Sequence, residues 1–273
     1  MIVFVTCWYK LNCKFNDDTY SQWIDNFLST VNNFYLVVYT NLDSYQMLEK
    51  YTNNSRIKIV IKEVDSFYNY KYRDNWIKNH EKNYLLNSKI SWQVNMLWCE
   101  KISFIKDAYE NGYFHGSTNG WYGWYGWCDI GYFRGRHSID LSQEQLNSWP
   151  NNDKILNLNP DKIYYGRVLN DSKVFNAYIN IILDKSSSGL PRNEIPHHQV
   201  SIAGGFFLIN RTNIEWYHKI TDDKIQLYFE NGRLIKDDQI VVLNNIVENK
   251  SKFSLVTENI GYDNWFLFQR YLL

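Results

Sequence analysis

The first forty residues alternate between apolar and amphipathic segments in a way that restricts the fold. Residues 2–6 (Ile-Val-Phe-Val-Thr) and 34–40 are short apolar runs rich in β-branched or aromatic residues, as in strands buried on both faces. Between them, residues 18–31 carry apolar side chains at helical spacing. Strand, helix and strand predict a right-handed βαβ unit and therefore an α/β fold with a largely parallel sheet.

The rest of the chain continues this alternation. Further strands are predicted at residues 56–61, 154–158, 163–168, 201–210 and 253–257. One more strand is predicted at the end of the aromatic run 121–127, leading into residue 128. Further helices are predicted at 43–51, as one long helix from 87 or 88 to 112, at 212–232 with a capping box at its start, and at 237–247. Residues 65–85 lack a clear period and are predicted to form a loop or an irregular helix near an active-site rim. No composition break indicates a linker, so the 273 residues are predicted to form one domain.

Charge and cysteine usage exclude several classes of protein. Lys plus Arg and Asp plus Glu each number 29, so the chain lacks the basic excess of a nucleic-acid-binding protein. No apolar run approaches the ~20 residues of a transmembrane helix. The four cysteines form no CxxC pair, which favours reduced thiols and a cytoplasmic protein.

The usual signatures of nucleotide and hydrolytic enzymes are missing from the sequence. It contains neither GxxxxGK[ST] nor a strand–GxGxxG–helix, so a P-loop ATPase or a dinucleotide dehydrogenase is not expected. It also contains no GxSxG elbow and no His/Cys cluster at zinc spacing.

One acidic residue lies where open α/β sheets bind ligands. Asp129 follows a predicted strand that ends at Cys128, and Gly131 comes two residues later. A carboxylate there could hold a divalent cation that bridges a diphosphate. The alternative is an aspartate that caps a turn beside a glycine.

Two later segments also combine strand or helix ends with special residues. Gly204 and Gly205 open the predicted strand 201–210, where they either allow backbone to approach a ligand or permit a bulge. Asp237 and Asp238 begin the helix 237–247, where they either serve chemistry or complement the helix dipole. His198 lies in a loop just before the paired glycines and is a candidate to touch a substrate.

Aromatic residues make up 18% of the chain, which leaves two interpretations open. Tyr is abundant together with Asn, Ile and Lys, as AT-rich codons would produce. Some rings could instead form platforms for planar or sugar ligands, the run at 121–127 above all. We expect this run to combine one buried face with rings that are exposed near a ligand. Alternation along a strand would place Trp121, Tyr125 and Trp127 on one side and Tyr122 and Trp124 on the other.

The order of these motifs resembles the nucleotide-sugar transferases of the GT-A fold, and more narrowly the HtrL/YibB-type family. The matching segments span most of the chain, with poor agreement at 112–126 and 170–196. They are Val-Phe-Val-Thr at 3–6, Leu-Val-Val-Tyr-Thr at 36–40, Asn-Ser-Lys at 87–89, Trp-Cys-Glu-Lys-Ile-Ser-Phe-Ile at 98–105, Trp-Cys-Asp-Ile-Gly at 127–131, Gly-Gly-Phe-Phe at 204–207 and Asp-Asp-Gln at 237–239.

The resemblance implies a Rossmann-like GT-A fold, with a mixed but mostly parallel sheet flanked by helices, and a role for each matched residue. Thr6 and Thr40 would line the nucleotide pocket, and Lys101 would face the donor. Asp129 would bind a divalent cation, Mn²⁺ or Mg²⁺. Gly204 and Gly205 would shape the acceptor-side wall, and Asp238 would be the catalytic carboxylate beside the acceptor hydroxyl.

The sequence departs from this family pattern at two places. Gly131 stands where the second carboxylate of Asp-x-Asp is expected. The late histidine that completes the metal shell is also missing, because the last histidine of the chain is His218. Both departures place the cation in doubt.

These features predict a glycosyltransferase that moves a sugar from a nucleotide-sugar donor to a hydroxyl on a glycan or a protein-linked glycan. Two alternatives remain. One is a non-catalytic carbohydrate-binding protein that uses the aromatic run at 121–127. The other is a metal-dependent hydrolase of nucleotide sugars.

Overall fold

A computed structural model describes residues 1–12, 14–114, 123–135, 140–258 and 263–273. In these residues the seven strands are β1 (Val3–Trp8), β2 (Tyr35–Thr40), β3 (Ile57–Ile61), β4 (Trp124–Cys128), β5 (Ile163–Arg167), β6 (Ile202–Asn210) and β7 (Phe253–Val256). The α-helices of the same residues are α1 (Asp17–Leu28), α2 (Leu42–Tyr45), α3 (Arg73–Lys82), α4 (Trp92–Cys99), α5 (Lys101–Glu110), α6 (Gln143–Ser148), α7 (Asn152–Leu156), α8 (Ser172–Leu183), α9 (Ile214–Glu230), α10 (Asp238–Glu248) and α11 (Leu267–Tyr271).

All seven strands belong to one sheet of order β3-β2-β1-β4-β6-β5-β7. Strand β6 is antiparallel to both of its neighbours, β4 and β5, and every other pair is parallel. The C-terminal ends of β1 and β4 therefore meet the N-terminal end of β6 at one edge of the sheet. The predicted α/β fold, with a mixed and mostly parallel sheet flanked by helices, is confirmed.

Alternate strand residues pack into two apolar clusters, one on each face of the sheet. Val5, Tyr125 and Trp127 belong to one cluster, whereas Phe4 and Trp124 belong to the other. The predicted alternation of the aromatic run is confirmed over 124–127, but the expectation of exposed rings is wrong there, because all three rings are buried. Residues 121 and 122 lie outside the described residues.

The predicted long helix is two helices that meet at Glu100. The side chain of Glu100 is buried and accepts hydrogen bonds from the backbone N–H groups of Tyr68 and Asn69 at 2.6 and 3.0 Å. Burial raises the pKa of Glu100 to about 7, although the hydrogen bonds from Asn69 and Tyr68 oppose that rise. The apolar period continues through the break, so the sequence could not reveal it.

The strand predicted at 154–158 is wrong, because this segment lies mostly in helix α7. The Asn151 side chain caps the helix by accepting from the N–H groups of Asp153 and Lys154. Ile155 and Leu158, three residues apart, are both buried. Residues three apart share a face on a helix but point to opposite faces on a strand, so a short apolar segment buried on both faces could not be told from a helix by sequence.

Other predicted boundaries need smaller corrections. The capping box expected at Thr212 is wrong, because Asn210 accepts from the Thr212 N–H and leads a 3₁₀ turn, Arg211–Asn213, into α9. The segment 65–85, predicted as a loop or an irregular helix, contains the 3₁₀ turn Tyr68–Tyr72 followed by α3.

Two further sequence expectations concern membranes and thiols. None of the helices in the described ranges is long and apolar enough to cross a membrane. Cys7, Cys99 and Cys128 are buried free thiols, and burial raises the pKa of each.

Candidate active site

A cavity of about 510 Å³ opens at the sheet edge where β1 and β4 end and β6 begins. Lys101 at the start of α5, Asp129 just after β4 and Asp238 at the start of α10 line one side of it. Gly204 and Gly205 of β6 lie between these carboxylates. Ligands of open α/β sheets bind at this edge, outside the carboxyl ends of parallel strands.

Lys101 is the centre of the charged side, and its side chain is only 9% exposed. The ammonium donates to the Gly204 carbonyl at 2.7 Å and to Asp238 Oδ2 at 2.8 Å, and it lies 3.5 Å from Asp129 Oδ1. Burial alone would lower the pKa of Lys101, but Asp129 and Asp238 raise it above its usual value. Lys101 is therefore a fixed positive charge. We call Lys101, Asp129 and Asp238 the charged wall.

Asp129 is the more exposed carboxylate of this wall, with 43% of its side chain accessible. Trp127, two residues earlier and on the same face, donates its indole N–H to Asp129 Oδ1 at 2.5 Å. The backbone N–H of Asp129 donates to the Gly205 carbonyl at 2.9 Å. These two hydrogen bonds fix the carboxylate at the mouth of the cavity.

Asp238 is the buried carboxylate of the wall, with 11% of its side chain exposed. Burial raises the pKa of Asp238 to about 6, although Lys101 opposes that rise, and the charges of Asp237 and Asp129 add to it. The neighbouring Asp237 also lines the cavity, but its carboxylate pairs with Lys236 at 2.9 Å. The two adjacent carboxylates therefore have different partners, and only Asp238 belongs to the helix, because Asp237 precedes it in an extended conformation.

The paired glycines form a bulge in β6. Tyr165 of β5 pairs with Phe207, but the next residue, Gly166, pairs with Ala203, so three residues of β6 have no partner on β5. A Cβ atom on Gly204 would lie 2.9 Å from Asp238 Oδ2, and one on Gly205 would lie 3.0 Å from Asp129 Oδ2. Side chains at either position would collide with the carboxylates, so glycine is needed here for close approach.

Aromatic residues form a second part of the cavity lining. Trp8, Phe15, Tyr20, Trp23 and Phe266 line it, and we call them the aromatic wall. Neighbouring rings touch, with centroids 4.6 Å apart for Trp8 and Tyr20 and 4.8 Å apart for Phe15 and Trp23.

An arginine is stacked against this wall. The Arg134 guanidinium lies 4.5 Å from the centre of the Trp23 ring and 5.2 Å from that of Phe266. Cation–π contacts of this kind hold a guanidinium beside aromatic faces. The aromatic side of the cavity therefore also carries a positive charge.

Gly131 has a steric role at the junction of the two walls. A Cβ atom there would lie 2.6 Å from Cε3 of Trp23. The second carboxylate that the family pattern expects at this position would therefore collide with the Trp23 ring.

Three of the predicted site residues lie away from the cavity. Strand β1 continues to Trp8, so Thr6 lies inside the sheet opposite Val38 and is fully buried. The Thr40 hydroxyl is also buried and donates to the Trp8 carbonyl at 2.7 Å. Cys7 and Trp8 line the cavity where the two threonines were expected. His198 is exposed in the loop before β6 and does not line the cavity.

The charged wall was also tested as a site for the divalent cation that the resemblance implies. Such an ion needs several oxygen ligands at about 2.0–2.6 Å. Among the residues that the structure describes, no group of three or more His, Cys, Asp or Glu side chains is placed to hold a metal ion. Asp129 Oδ1 already accepts from Trp127, and the Lys101 ammonium stands between the two carboxylates. This donor set does not fit a resident divalent cation.

Sequence reasoning missed several residues that line the cavity. Trp23 and Arg134 were not candidates, and Trp127 was one only as a ring of the aromatic run at 121–127, not as the partner of Asp129, although each of the three fixes or borders the site. Only Trp127 had a usable signal, because a residue two positions before Asp129 on a strand must share its face.

The chain was compared with known proteins by sequence and by structure. No family model matches it, and no curated protein matches it by sequence. Its structure is similar to the crystal structure of mouse xyloside xylosyltransferase 1 in the apo form, with a TM-score of 0.49 and 11% sequence identity. The match covers 99% of this chain and 93% of that one. A similarity of this size assigns neither a substrate nor a site residue to the chain.

Proposed function

We propose that this chain is a glycosyltransferase of GT-A-like fold that moves a sugar from a nucleotide-sugar donor to a hydroxyl group of a glycan or protein-linked glycan. One observation carries the proposal: two carboxylates and a buried ammonium converge at the sheet edge, inside a cavity of about 510 Å³. A cavity of that volume falls in the range of small-ligand sites.

The proposed reaction breaks the bond between the anomeric carbon and the diphosphate oxygen, and the diphosphate departs with the electron pair. A new bond forms between the acceptor oxygen and the anomeric carbon. Lys101 would stabilise the charge that develops on the leaving diphosphate, because a preorganised charge in a buried site acts strongly. Its hydrogen bonds to Asp238 and to the Gly204 carbonyl fix it in place before the donor binds.

Asp238 is proposed to take the proton of the acceptor hydroxyl if the reaction inverts the anomeric configuration. A pKa of about 6 leaves the carboxylate ionised at neutral pH and makes it a stronger base than an exposed aspartate. If the reaction retains configuration, the same carboxylate would position the hydroxyl. The missing side chains of Gly204 and Gly205 would let the substrates approach both carboxylates.

The aromatic wall is proposed to bind the donor nucleotide. Its rings combine large apolar faces with polar edges, which suits stacking against a base or a sugar. Lys14 also lines the cavity and adds a cation near the expected diphosphate. The balance of charge and aromatic surface supports an enzyme that holds a nucleotide and a sugar together.

A thermal-shift screen against UDP-, GDP-, CMP- and dTDP-sugars, with and without Mn²⁺, tests the proposal. We expect one nucleotide class to raise the melting temperature, since a ligand at 100 times its dissociation constant stabilises the folded state by about 2.7 kcal/mol. Mass spectrometry of glycan acceptors incubated with that donor should then show one added sugar.

The same experiment separates the alternatives. Glycan binding without turnover of any nucleotide sugar would indicate a carbohydrate-binding protein. Release of free sugar at a rate that no acceptor changes would indicate a hydrolase. Either result would contradict the proposed transferase.

A further inference from the structure

The oxygens around Lys101 come from three separate parts of the fold. Asp129 follows β4, Gly204 belongs to β6, and Asp238 begins α10. Two of the three oxygens lie within 2.8 Å of the ammonium, and the third lies at 3.5 Å. Oxygens gathered from distant segments around one point are the arrangement that holds a cation.

The protein itself supplies the cation at this point. Lys101 is the first residue of α5, directly after the break at the buried Glu100, and this break brings its side chain to the cavity. The ammonium also lies 5.8 Å from the centre of the Trp127 ring, and the Trp127 indole fixes Asp129. The ammonium would exclude a divalent ion from the same point, because it fills the space there and repels a second positive charge.

The space around Gly131 independently argues against a divalent cation at this site. The position two residues after Asp129 has no room for an acidic side chain, because a Cβ atom there would lie 2.6 Å from the Trp23 ring. The site therefore combines a built-in cation with a steric block against a second acidic ligand.

We propose that Lys101 is the resident cation of this site and that its ammonium, rather than a divalent metal ion, offsets the charge of the donor diphosphate. The role at the diphosphate rests on the proposed function. The occupancy of the cation position by Lys101 does not depend on the proposed function. This occupancy can be tested with a metal ion alone.

The test measures Mn²⁺ binding by the loss of the free-ion electron paramagnetic resonance signal. The wild-type protein should bind Mn²⁺ at least tenfold more weakly than Lys101→Ala, in which two carboxylates face a vacated space. Adding Asp129→Asn to Lys101→Ala should remove the new site. Lys219→Ala is the matched control, because Lys219 pairs with Asp223 on the exposed surface.

Two results would overturn the proposal. One is Mn²⁺ binding by the wild-type protein that Asp129→Asn abolishes. The other is a folded Lys101→Ala protein, shown by near-ultraviolet circular dichroism, that binds no more Mn²⁺ than the wild type. If Lys101→Ala does not fold, the comparison of wild type with Asp129→Asn still decides the question. No part of this test needs a sugar donor, so failure of the proposed transferase activity would be seen separately.

Discussion

The two walls of the cavity are built in different ways. Lys101, Asp129 and Asp238 of the charged wall come from three elements far apart in sequence, and directional contacts of 2.8–3.5 Å hold them together. The aromatic wall takes three of its five rings from residues 15–23 and packs them by shape. In the proposed transferase, the charged wall would act on the reacting bond and the aromatic wall would hold the ligand.

The strongest test of the difference between the two walls is a substitution that removes the buried carboxylate of Asp238. Asp238→Asn keeps the shape of the side chain but cannot accept a proton, so we expect transfer to slow by about 10²–10⁴-fold. Initial rates at saturating donor, measured well below the melting temperature of the variant, would show the effect. Asp237→Asn is the matched control and should keep most of the activity, because Asp237 pairs with Lys236. Equal losses in both variants would contradict a special role for Asp238.

The second prediction concerns Gly131, where the aromatic wall contacts the segment that follows Asp129. Gly131→Ala would push a methyl group into the Trp23 ring, and overpacking of this kind costs about 1–3 kcal/mol of the free energy of unfolding. Gly131 does not have a positive φ, so the cost arises from the collision and not from the backbone. Urea denaturation would measure it. The cost should fall when Trp23→Leu is present, and an equal cost in both backgrounds would refute the contact.

The third prediction is that the pH dependence of kcat/KM depends on the charged wall and not on the aromatic wall. Burial raises the pKa of Asp238 to about 6, and a base must be ionised to act, so kcat/KM should fall about tenfold per pH unit below 6. Asp237→Asn should move this limb to lower pH, because the charge of Asp237 helps to raise the pKa. Substitutions in the aromatic wall should leave the limb in place. A rate that does not change between pH 5 and 7 would exclude Asp238 as the base.

Much of the fold could be predicted because strands and helices are marked by apolar patterns within short stretches of sequence. The apolar runs of β1 and β2 with α1 between them gave the βαβ start, and the remaining parallel strands followed. The break in the long helix was missed because distant contacts decide it. Glu100 interrupts the long helix because it binds backbone N–H groups 31 and 32 residues away, and no local pattern records such a bond.

The candidate site was predictable only in part, for the same reason. The motif order brought Asp129, Gly204, Gly205, Asp238 and Lys101 into view, and the structure places all five around one cavity. The prediction did not foresee that Lys101 binds Asp238 directly. It also placed Thr6 at a strand end, although β1 continues for two more residues. The aromatic wall was missed because Trp8 and Phe266 join the rings of residues 15–23 only in the folded chain.

The smallest predicted effect concerns the outermost ring of the aromatic wall. Phe15 is 43% exposed and packs edge to face against Trp23, so its removal should change ligand binding more than folding. An aromatic contact between Phe15 and the donor base would contribute about 0.5–1.5 kcal/mol, so Phe15→Ala should weaken nucleotide binding by roughly 2- to 13-fold in calorimetry. The rate at saturating donor should not change, because Phe15 is not part of the charged wall. Tyr84→Ala is the matched control, since Tyr84 is 68% exposed and does not line the cavity. A Phe15→Ala variant with normal affinity and a reduced rate at saturation would reverse the roles assigned to the two walls.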